Sequence, residues 1–315
     1  MRPELHRILQ KQQYALVGTH SAVKLCHWMK QSLLYARECY KQSFYGIKSH
    51  RCLQMTPAVH HCTQMCLFCW RFQDFTEQSL EQYDEPEQIL DQAIQEQRKL
   101  ITGFKGDPRC DVEKWKEANQ PTMLACSLSG EPTLYPKLGE FFEICKKRGI
   151  TTFLVTNGTT PEVLKHLDPL PDQLYVSVVA PNEEVYKKIC SPLIPDGWEK
   201  LTQTLALLPS LDTRTVIRHT LIQYWNMDET VIKEYAKLDA QAQPLFIESK
   251  GYVFVGGSRQ RMTIANMPTH DQVRFFSQKL ADEISYEYIM EKQDSLVALL
   301  GTDPKKRILP KLKND

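Results

Sequence analysis

The pattern of apolar and polar positions divides the chain into two unequal regions. From residue 122 onward, short apolar runs alternate with longer stretches of helical periodicity. Strand-like runs fall at 122–126, 151–155, 173–178, 214–222 and 245–248. Helical patterns fall between them, at 136–148, 160–167, 182–189, 196–208 and 228–238. A short apolar stretch at 53–59 predicts one earlier strand, and 86–101 predicts a helix with Pro86 in its first turn. The first fifty residues read as helical, with Leu25, Trp28, Met29, Leu33 and Leu34 near helical spacing. After residue 250 the pattern loosens into a Gly-rich stretch, one more helix near 269–283 and a basic tail.

Strands alternating with helices of this length predict a parallel α/β sheet wound by right-handed crossovers. Six such strands fit either an open doubly wound sheet or an incomplete β/α barrel, and the pattern alone does not separate the two. The division expected is an extension over 1–55, the α/β unit over 56–300 and a tail over 301–315.

Composition narrows the class. The chain has 315 residues, 42% hydrophobic and 24% charged, enough to bury a sizeable core. No apolar run reaches the roughly 18–20 residues that span a bilayer, and residues 1–13 lack a signal-peptide core, which predicts a cytoplasmic protein. The ten cysteines then read as metal ligands or small core residues, because disulfides are rare in a reducing compartment.

The spacing of the cysteines points to the chemistry. Cys62-Thr63-Gln64-Met65-Cys66-Leu67-Phe68-Cys69 sets three thiols within eight residues on a loop after a predicted strand. Three protein ligands on a four-iron cluster leave one iron open to a further ligand. The competing assignment is zinc with His60 or His61 as fourth ligand, but no matching second cysteine pair is present. A second segment, Ser129-Gly130-Glu131-Pro132, follows the next strand; Gly130 allows close backbone approach and Glu131 brings a carboxylate. Thr156-Asn157-Gly158 and Ser177 lie at the ends of later strands, where parallel folds build their sites. Turn and cap roles explain those residues equally well.

The C-x3-C-x2-C spacing, with Phe68 just before the third cysteine, resembles the signature of the radical S-adenosylmethionine superfamily. That resemblance implies an incomplete (β/α)6 barrel, a 4Fe–4S cluster on Cys62, Cys66 and Cys69, and S-adenosylmethionine. It further implies that Phe68 lies against the adenine and that Ser129-Gly130-Glu131 stands for the motif that takes the methionine amino group, with Ser129 replacing its first glycine. Asn157 and Ser177 become candidate contacts to the cofactor.

Cys26, Cys39 and Cys52 repeat at a spacing of C-x12-C-x12-C ahead of this loop, two of them in basic sequence unlike a buried core. Ala22 to Cys26, Phe44 to Ile47, His50-Arg51-Cys52, Cys69-Trp70-Arg71, Gly197-Trp198 and Glu248 to Tyr252 are similar to the 4-demethylwyosine synthase family over residues 5–300. The likeness implies a second 4Fe–4S cluster on Cys26, Cys39 and Cys52, in a helical N-terminal extension. It implies a reaction in which the 5′-deoxyadenosyl radical activates N1-methylguanosine-37 of phenylalanine tRNA for condensation with two carbons of pyruvate. A lysine that forms a Schiff base suits such chemistry; Lys41 is the first candidate and Lys48 the second. With no flavodoxin domain evident, the archaeal form is expected, a monomer served by a separate flavodoxin- or ferredoxin-type electron donor. The alternatives are another two-cluster radical enzyme acting on RNA or peptide, and a non-catalytic zinc-stabilised RNA-binding protein.

Charge distribution fits a nucleic-acid partner. Residues 24–51 carry six basic residues and one acidic, whereas 74–97 carry eight acidic and none basic. The acidic run reads as a solvated helix face, and Lys305, Lys306, Arg307, Lys311 and Lys313 make the tail basic. An aromatic near the site would receive an unstacked base, and Trp70, Tyr45 and Tyr252 are candidates. Cys110, Cys126, Cys145 and Cys190 lack cluster spacing and read as core or incidental residues.

Overall fold

A computed structural model describes residues 1–310; Lys311 and Lys313 of the basic tail lie outside the described residues. The strands are β1 (Ala15–Val17), β2 (Ser21–Val23), β3 (Cys52–Thr56), β4 (Met123–Cys126), β5 (Thr151–Thr156), β6 (Gln173–Ser177), β7 (Arg214–Leu221), β8 (Phe246–Gly251), β9 (Glu287–Lys292) and β10 (Val297–Gly301). They form one sheet in the order β1-β2-β3-β4-β5-β6-β7-β8-β10-β9. Every neighbour pair from β3 to β8 is parallel, and both margins are antiparallel. Six parallel strands that do not close on themselves make the incomplete barrel.

Helices α1 (Pro3–Lys11), α2 (His27–Tyr35) and α3 (Tyr40–Tyr45) precede β3. Between β3 and β4 lie α4 (Pro86–Ile101) and α5 (Val112–Ala118). The crossovers then carry α6 (Leu138–Lys147), α7 (Pro161–His166), α8 (Glu183–Cys190), α9 (Gly197–Leu207) and α10 (Ile232–Ala242), and α11 (His270–Ile284) follows β8. The six predicted parallel strands are present, and the N-terminal region holds its helices. It also holds a hairpin, β1–β2, that pairs onto β3 and makes the region part of the same sheet. The loosened stretch after 250 likewise contains a hairpin, β9–β10. The acidic run behaves as a solvated face in part: Glu87 and Asp91 of α4 pair with Arg148 at the surface.

Alternation along each strand sorts side chains between two cores. Leu124, Leu154, Leu174, Ile217 and Ile247 face the surrounding helices. Met123, Phe153, Tyr175, Val216 and Phe246 turn the other way and pack against Tyr40, Phe44 and Tyr45. The short helix α3 therefore fills the concave side of the sheet near the N-terminal ends of its strands. Phe44 and Tyr45 are fully buried there, and Tyr45 meets Phe246 at 5.9 Å and Tyr175 at 6.4 Å between ring centroids. Each such ring stabilises the fold by about 2–3 kcal/mol through burial. Two residues further along β6, β7 and β8 the inward face turns polar, with Ser177, Arg218, Glu248 and then Lys250. Packing thus closes one end of the barrel and leaves the C-terminal strand ends free to form a site.

Candidate active site

A pocket of about 350 Å³ opens at those strand ends, lined by Cys62, Cys66, Cys69, Phe68, Asn157 and Ser177 among others. The loop that carries the cysteines leaves β3 and is anchored from several directions. Met65 N–H donates to Ser191 O at 3.0 Å, and Leu67 N–H to Ile189 O at 2.9 Å. Arg261 donates to the carbonyls of Leu67 and Cys69, and Gly257 N–H to Trp70 O at 2.8 Å. A Cβ at Gly256 or Gly257 would lie 2.4 or 2.6 Å from the Trp70 or Arg71 carbonyl oxygen, so only glycine permits this approach.

The three thiols of the loop converge. Burial pushes Cys62 up to about 12, and the nearby Cys66 sulfur adds to the rise. Cys69 is raised by burial and by Cys66, and Cys66 itself by a hydrogen bond to Cys190 and then by burial. Buried Arg71 faces all three: burial opposes its charge, but the sulfurs hold it on. It is fixed by donating to Gln64 O at 2.9 Å and Thr76 Oγ1 at 2.8 Å. Thiols that cannot ionise alone in such a place become good ligands once metal cations compensate their charge. A convergent sulfur triplet beside a buried guanidinium fits an anionic iron–sulfur cluster. His60 and His61 take no part, since their Nε2 atoms face Glu77 Oε2 at 3.8 and 3.4 Å.

The Ser129–Glu131 turn abuts the same loop. Gly130 has φ +71°, and a Cβ there would stand 1.7 Å from Ala58 O. Ser129 Oγ donates to Val59 O at 2.8 Å, and Glu131 N–H to His61 O at 2.7 Å. Glu131 is buried with both carboxylate oxygens engaged: Oε1 accepts from Thr133 Oγ1 at 2.7 Å and Oε2 from Asn157 N at 2.7 Å. Burial raises its pKa against the pull of these donors. Asn157 in turn directs Nδ2 at Cys62 Sγ at 3.8 Å and at Thr63 Oγ1 at 2.9 Å. The carboxylate thereby reaches the first cysteine through one intermediate residue.

The second cysteine set also converges, at the opposite end of β3. Cys26 and Cys39 are the residues that start α2 and α3, and Cys52 starts β3. Backbone N–H groups of Trp28 and Met29 point at Cys26 sulfur, and Lys41 N–H at Cys39 sulfur. Burial and the neighbouring Cys26 push both Cys39 and Cys52 to about 12. This donor set, too, suits a buried cluster. Lys41 acts electrostatically on all three sulfurs. Its Nζ lies 4.3 Å from the Tyr175 centroid and 5.0 Å from that of Phe153, and among the described residues no hydrogen-bond acceptor holds it. Burial first, and Arg218 second, push its pKa down. Lys48 is half-buried ahead of the turn 49–51 and faces Glu117, away from this group.

Lys250, which the sequence did not single out as a reactive group, lies between the two sets. It lines the first pocket and is brought down to about 8 by burial and Arg218, while its Nζ donates to Ser295 O at 2.7 Å. Arg218, Glu248, Tyr40 and Tyr45 surround it in one hydrogen-bonded group. The signal available was the register of β7 against β8, which no single run discloses. Of the three aromatic candidates, Tyr45 is core and engaged with Glu248, and Tyr252 is buried with its hydroxyl on Ser258 at 2.8 Å. Trp70 alone borders both the cluster pocket and a neighbouring groove of about 920 Å³.

The radical SAM superfamily pattern matches residues 57–235, and the pattern described as wyosine base formation matches 241–302. The S-adenosyl-L-methionine-dependent tRNA 4-demethylwyosine synthase of Pyrococcus abyssi is 49% identical over 309 residues, which cover 96% of this chain and 90% of the relative. This chain is a member of that synthase family. The relative of the same name from Methanocaldococcus jannaschii is 40% identical, covering 98% and 99% of the two chains. A structure described as TYW1 with a lysine–pyruvate adduct bound superposes with a TM-score of 0.88 at 38% identity, covering 98% of this chain and 99% of that one. As a member of the 4-demethylwyosine synthases, the chain is a radical SAM enzyme that uses S-adenosylmethionine and a 4Fe–4S cluster. No helix among the described residues is long and apolar enough to cross a membrane.

Proposed function

We propose that this enzyme closes the third ring of 4-demethylwyosine on guanosine 37 of phenylalanine tRNA, using pyruvate as the carbon donor. Cys62, Cys66 and Cys69 would hold the cluster that works with S-adenosylmethionine, and Cys26, Cys39 and Cys52 a second one. When bound, the first cluster and S-adenosylmethionine supply one-electron cleavage and hydrogen-atom abstraction from the N1-methyl group. Phe68, Ser129, Gly130, Asn157 and Ser177 border the volume that S-adenosylmethionine would occupy. Glu131 positions Asn157 and through it Cys62.

Lys41 is the group for the ketone. Its neutral amine adds to the pyruvate carbonyl carbon, and loss of the carbonyl oxygen as water leaves an imine that makes the methyl carbon more reactive. The observation that carries this reading is the position of Lys41: half-buried, acting on three cysteine sulfurs, over two aromatic rings and, among the described residues, bound to no acceptor. Lys48 is the second candidate. The adduct named for the TYW1 structure gives independent support, since that protein shares the fold and 38% of its sequence with this chain. The extension over 1–55 supplies the second cysteine set and, in β3, the first barrel strand; the unit over 56–300 supplies the other five parallel strands, and 301–315 a basic end. The enzyme works as a cytoplasmic monomer and draws electrons from a flavodoxin- or ferredoxin-type donor.

The test is iron and sulfide content after anaerobic reconstitution, for the wild type and for Cys26→Ala/Cys39→Ala/Cys52→Ala. About eight irons falling to about four supports two clusters of four irons each. About four in both proteins removes the second cluster and the ground for placing pyruvate beside it.

A further inference from the structure

The imidazoles of His60 and His61 form a tight, incompletely satisfied pair beside the cysteine loop. Both side chains are more than nine-tenths buried, and their ring centroids stand 3.9 Å apart. Both Nδ1 atoms are buried with no hydrogen-bond partner among the described residues. Their Nε2 atoms converge on one carboxylate oxygen, Glu77 Oε2, at 3.8 and 3.4 Å, longer than the usual hydrogen bond of about 2.9 Å. The two unpaired Nδ1 atoms stand apart from this set; the convergence of both Nε2 atoms on Glu77 Oε2, beyond ordinary hydrogen-bond length, is what calls for a water or ion between them.

The spacing identifies the missing partner. One ligand atom from each of His60, His61 and Glu77 lies within 4.8 Å of the others. A tetrahedral zinc with N and O ligands at 2.0–2.1 Å holds its ligand atoms about 3.3 Å apart. The His61 separation of 3.4 Å is close to that value and the His60 separation of 3.8 Å is longer, so modest side-chain movements would complete the sphere. Two imidazoles and one carboxylate form a donor set that zinc takes readily, with a fourth position left to water. That position opens on a pocket of about 680 Å³ that shares no lining residue with the cluster pocket.

We propose that His60, His61 and Glu77 form a site for a divalent zinc-type cation, distinct from both cysteine sets. Its location gives it a structural task. Glu77 already pairs with the cysteine loop through its backbone, receiving Cys62 N–H at 2.8 Å and donating to His60 O at 3.2 Å. A cation held by all three side chains would fasten the segment around Glu77 to the start of that loop a second time. The same loop segment accepts the Glu131 N–H through His61 O at 2.7 Å, so the cation would also steady the turn that faces Cys62.

The experiment uses the cluster-loaded full chain, supplied with equimolar zinc chloride, dialysed, and examined by elemental analysis and by X-ray absorption at the zinc edge. Wild type, His61→Gln and Glu77→Gln are compared. Glu77 is largely exposed, so its substitution leaves the core untouched. The expected result is zinc stoichiometric with wild-type protein, surrounded by nitrogen and oxygen at about 2.0–2.1 Å, and lost in both variants at unchanged iron content. Zinc absent from the wild type, zinc with sulfur neighbours at about 2.3 Å, or zinc equally retained by both variants would each overturn the site.

Discussion

Arg218 and Glu248 stand directly opposite one another in the register of β7 and β8, and the guanidinium donates twice to the same carboxylate oxygen, at 3.0 and 2.8 Å. Tyr40 donates to that oxygen at 3.0 Å and Tyr45 to the other at 2.7 Å. Burial raises the Glu248 pKa, but Arg218 and Lys41 overcome it and keep the carboxyl below its usual range. One fixed pair of opposite charges thus ties the helix that follows Cys39 to the strand that carries Lys250.

Breaking this pair on one side is expected to be severe. Glu248→Gln leaves a largely buried guanidinium without its counter-charge, and losses of this kind reach about 3–5 kcal/mol. Arg218→Met/Glu248→Gln removes both charges and should recover much of that loss. Denaturant midpoints of the two proteins decide it. Equal destabilisation of single and double variants would mean that geometry rather than charge dominates.

The three lysines separate in a trapping experiment with pyruvate and borohydride, read by peptide mass. Lys41→Met should abolish the trapped adduct. Lys48→Met should leave it intact, because Lys48 faces Glu117 outside the cysteine group. Lys250→Met should slow trapping without moving the adduct, since Lys250 Nζ is held on Ser295 O at 2.7 Å. An adduct that persists in Lys41→Met, or maps to Lys250 in the wild type, would reassign the nucleophile.

A second buried pair, away from the cysteines, sets a pH dependence of stability. His219 Nδ1 lies 2.8 Å from Val178 O and Nε2 3.0 Å from Asp239 Oδ2, so both nitrogens face acceptors and the doubly protonated ring satisfies both. Burial lowers its pKa, but Asp239 and the Val178 carbonyl outweigh this and raise it above the ordinary 6.5. A histidine raised in the folded state stabilises fully below its unfolded pKa and loses that contribution as pH rises through the folded value. Stability should therefore decline above pH 6.5, and Asp239→Asn should flatten the decline while costing about 3 kcal/mol at pH 6. Thermal midpoints from pH 5.5 to 9 test both statements.

The parallel core was legible because β4 to β8 each carry a short apolar or β-branched stretch, and helices of the right length separate them. The margins were not. β1 and β2 are three residues each, too short for a period to register, and their turn is marked only by Gly18 at φ +55°. β9 carries charge at both ends and faces solvent in part, so it reads as polar chain. At the site, local motifs disclosed the cysteines and the Ser129–Glu131 turn. Arg71 was quoted only as part of a matching tripeptide, since nothing local shows that its side chain folds back among three sulfurs. Arg218 and Lys250 depend on strands distant in sequence, and their meeting is a property of register.

Trp70 gives the most direct test of how RNA reaches the site. Its ring stacks on Tyr14 at 5.9 Å between centroids and 10° between planes, and Lys24 Nζ lies 4.7 and 4.9 Å from the two ring centroids. The indole forms the border between the cluster pocket and the groove that also holds Lys24 and Lys30, so an unstacked base entering from a basic groove would meet it first. Base–aromatic stacking contributes about 1–3 kcal/mol. Trp70→Ala should therefore weaken binding of the N1-methylguanosine tRNA at least about fivefold at constant salt, whereas Trp70→Phe should retain most of the affinity. Iron content and pyruvate trapping serve as controls, because Trp70 adjoins Cys69 and a disturbed cluster would lower both. Unchanged tRNA affinity in Trp70→Ala with intact clusters would move the base-binding surface elsewhere in the groove.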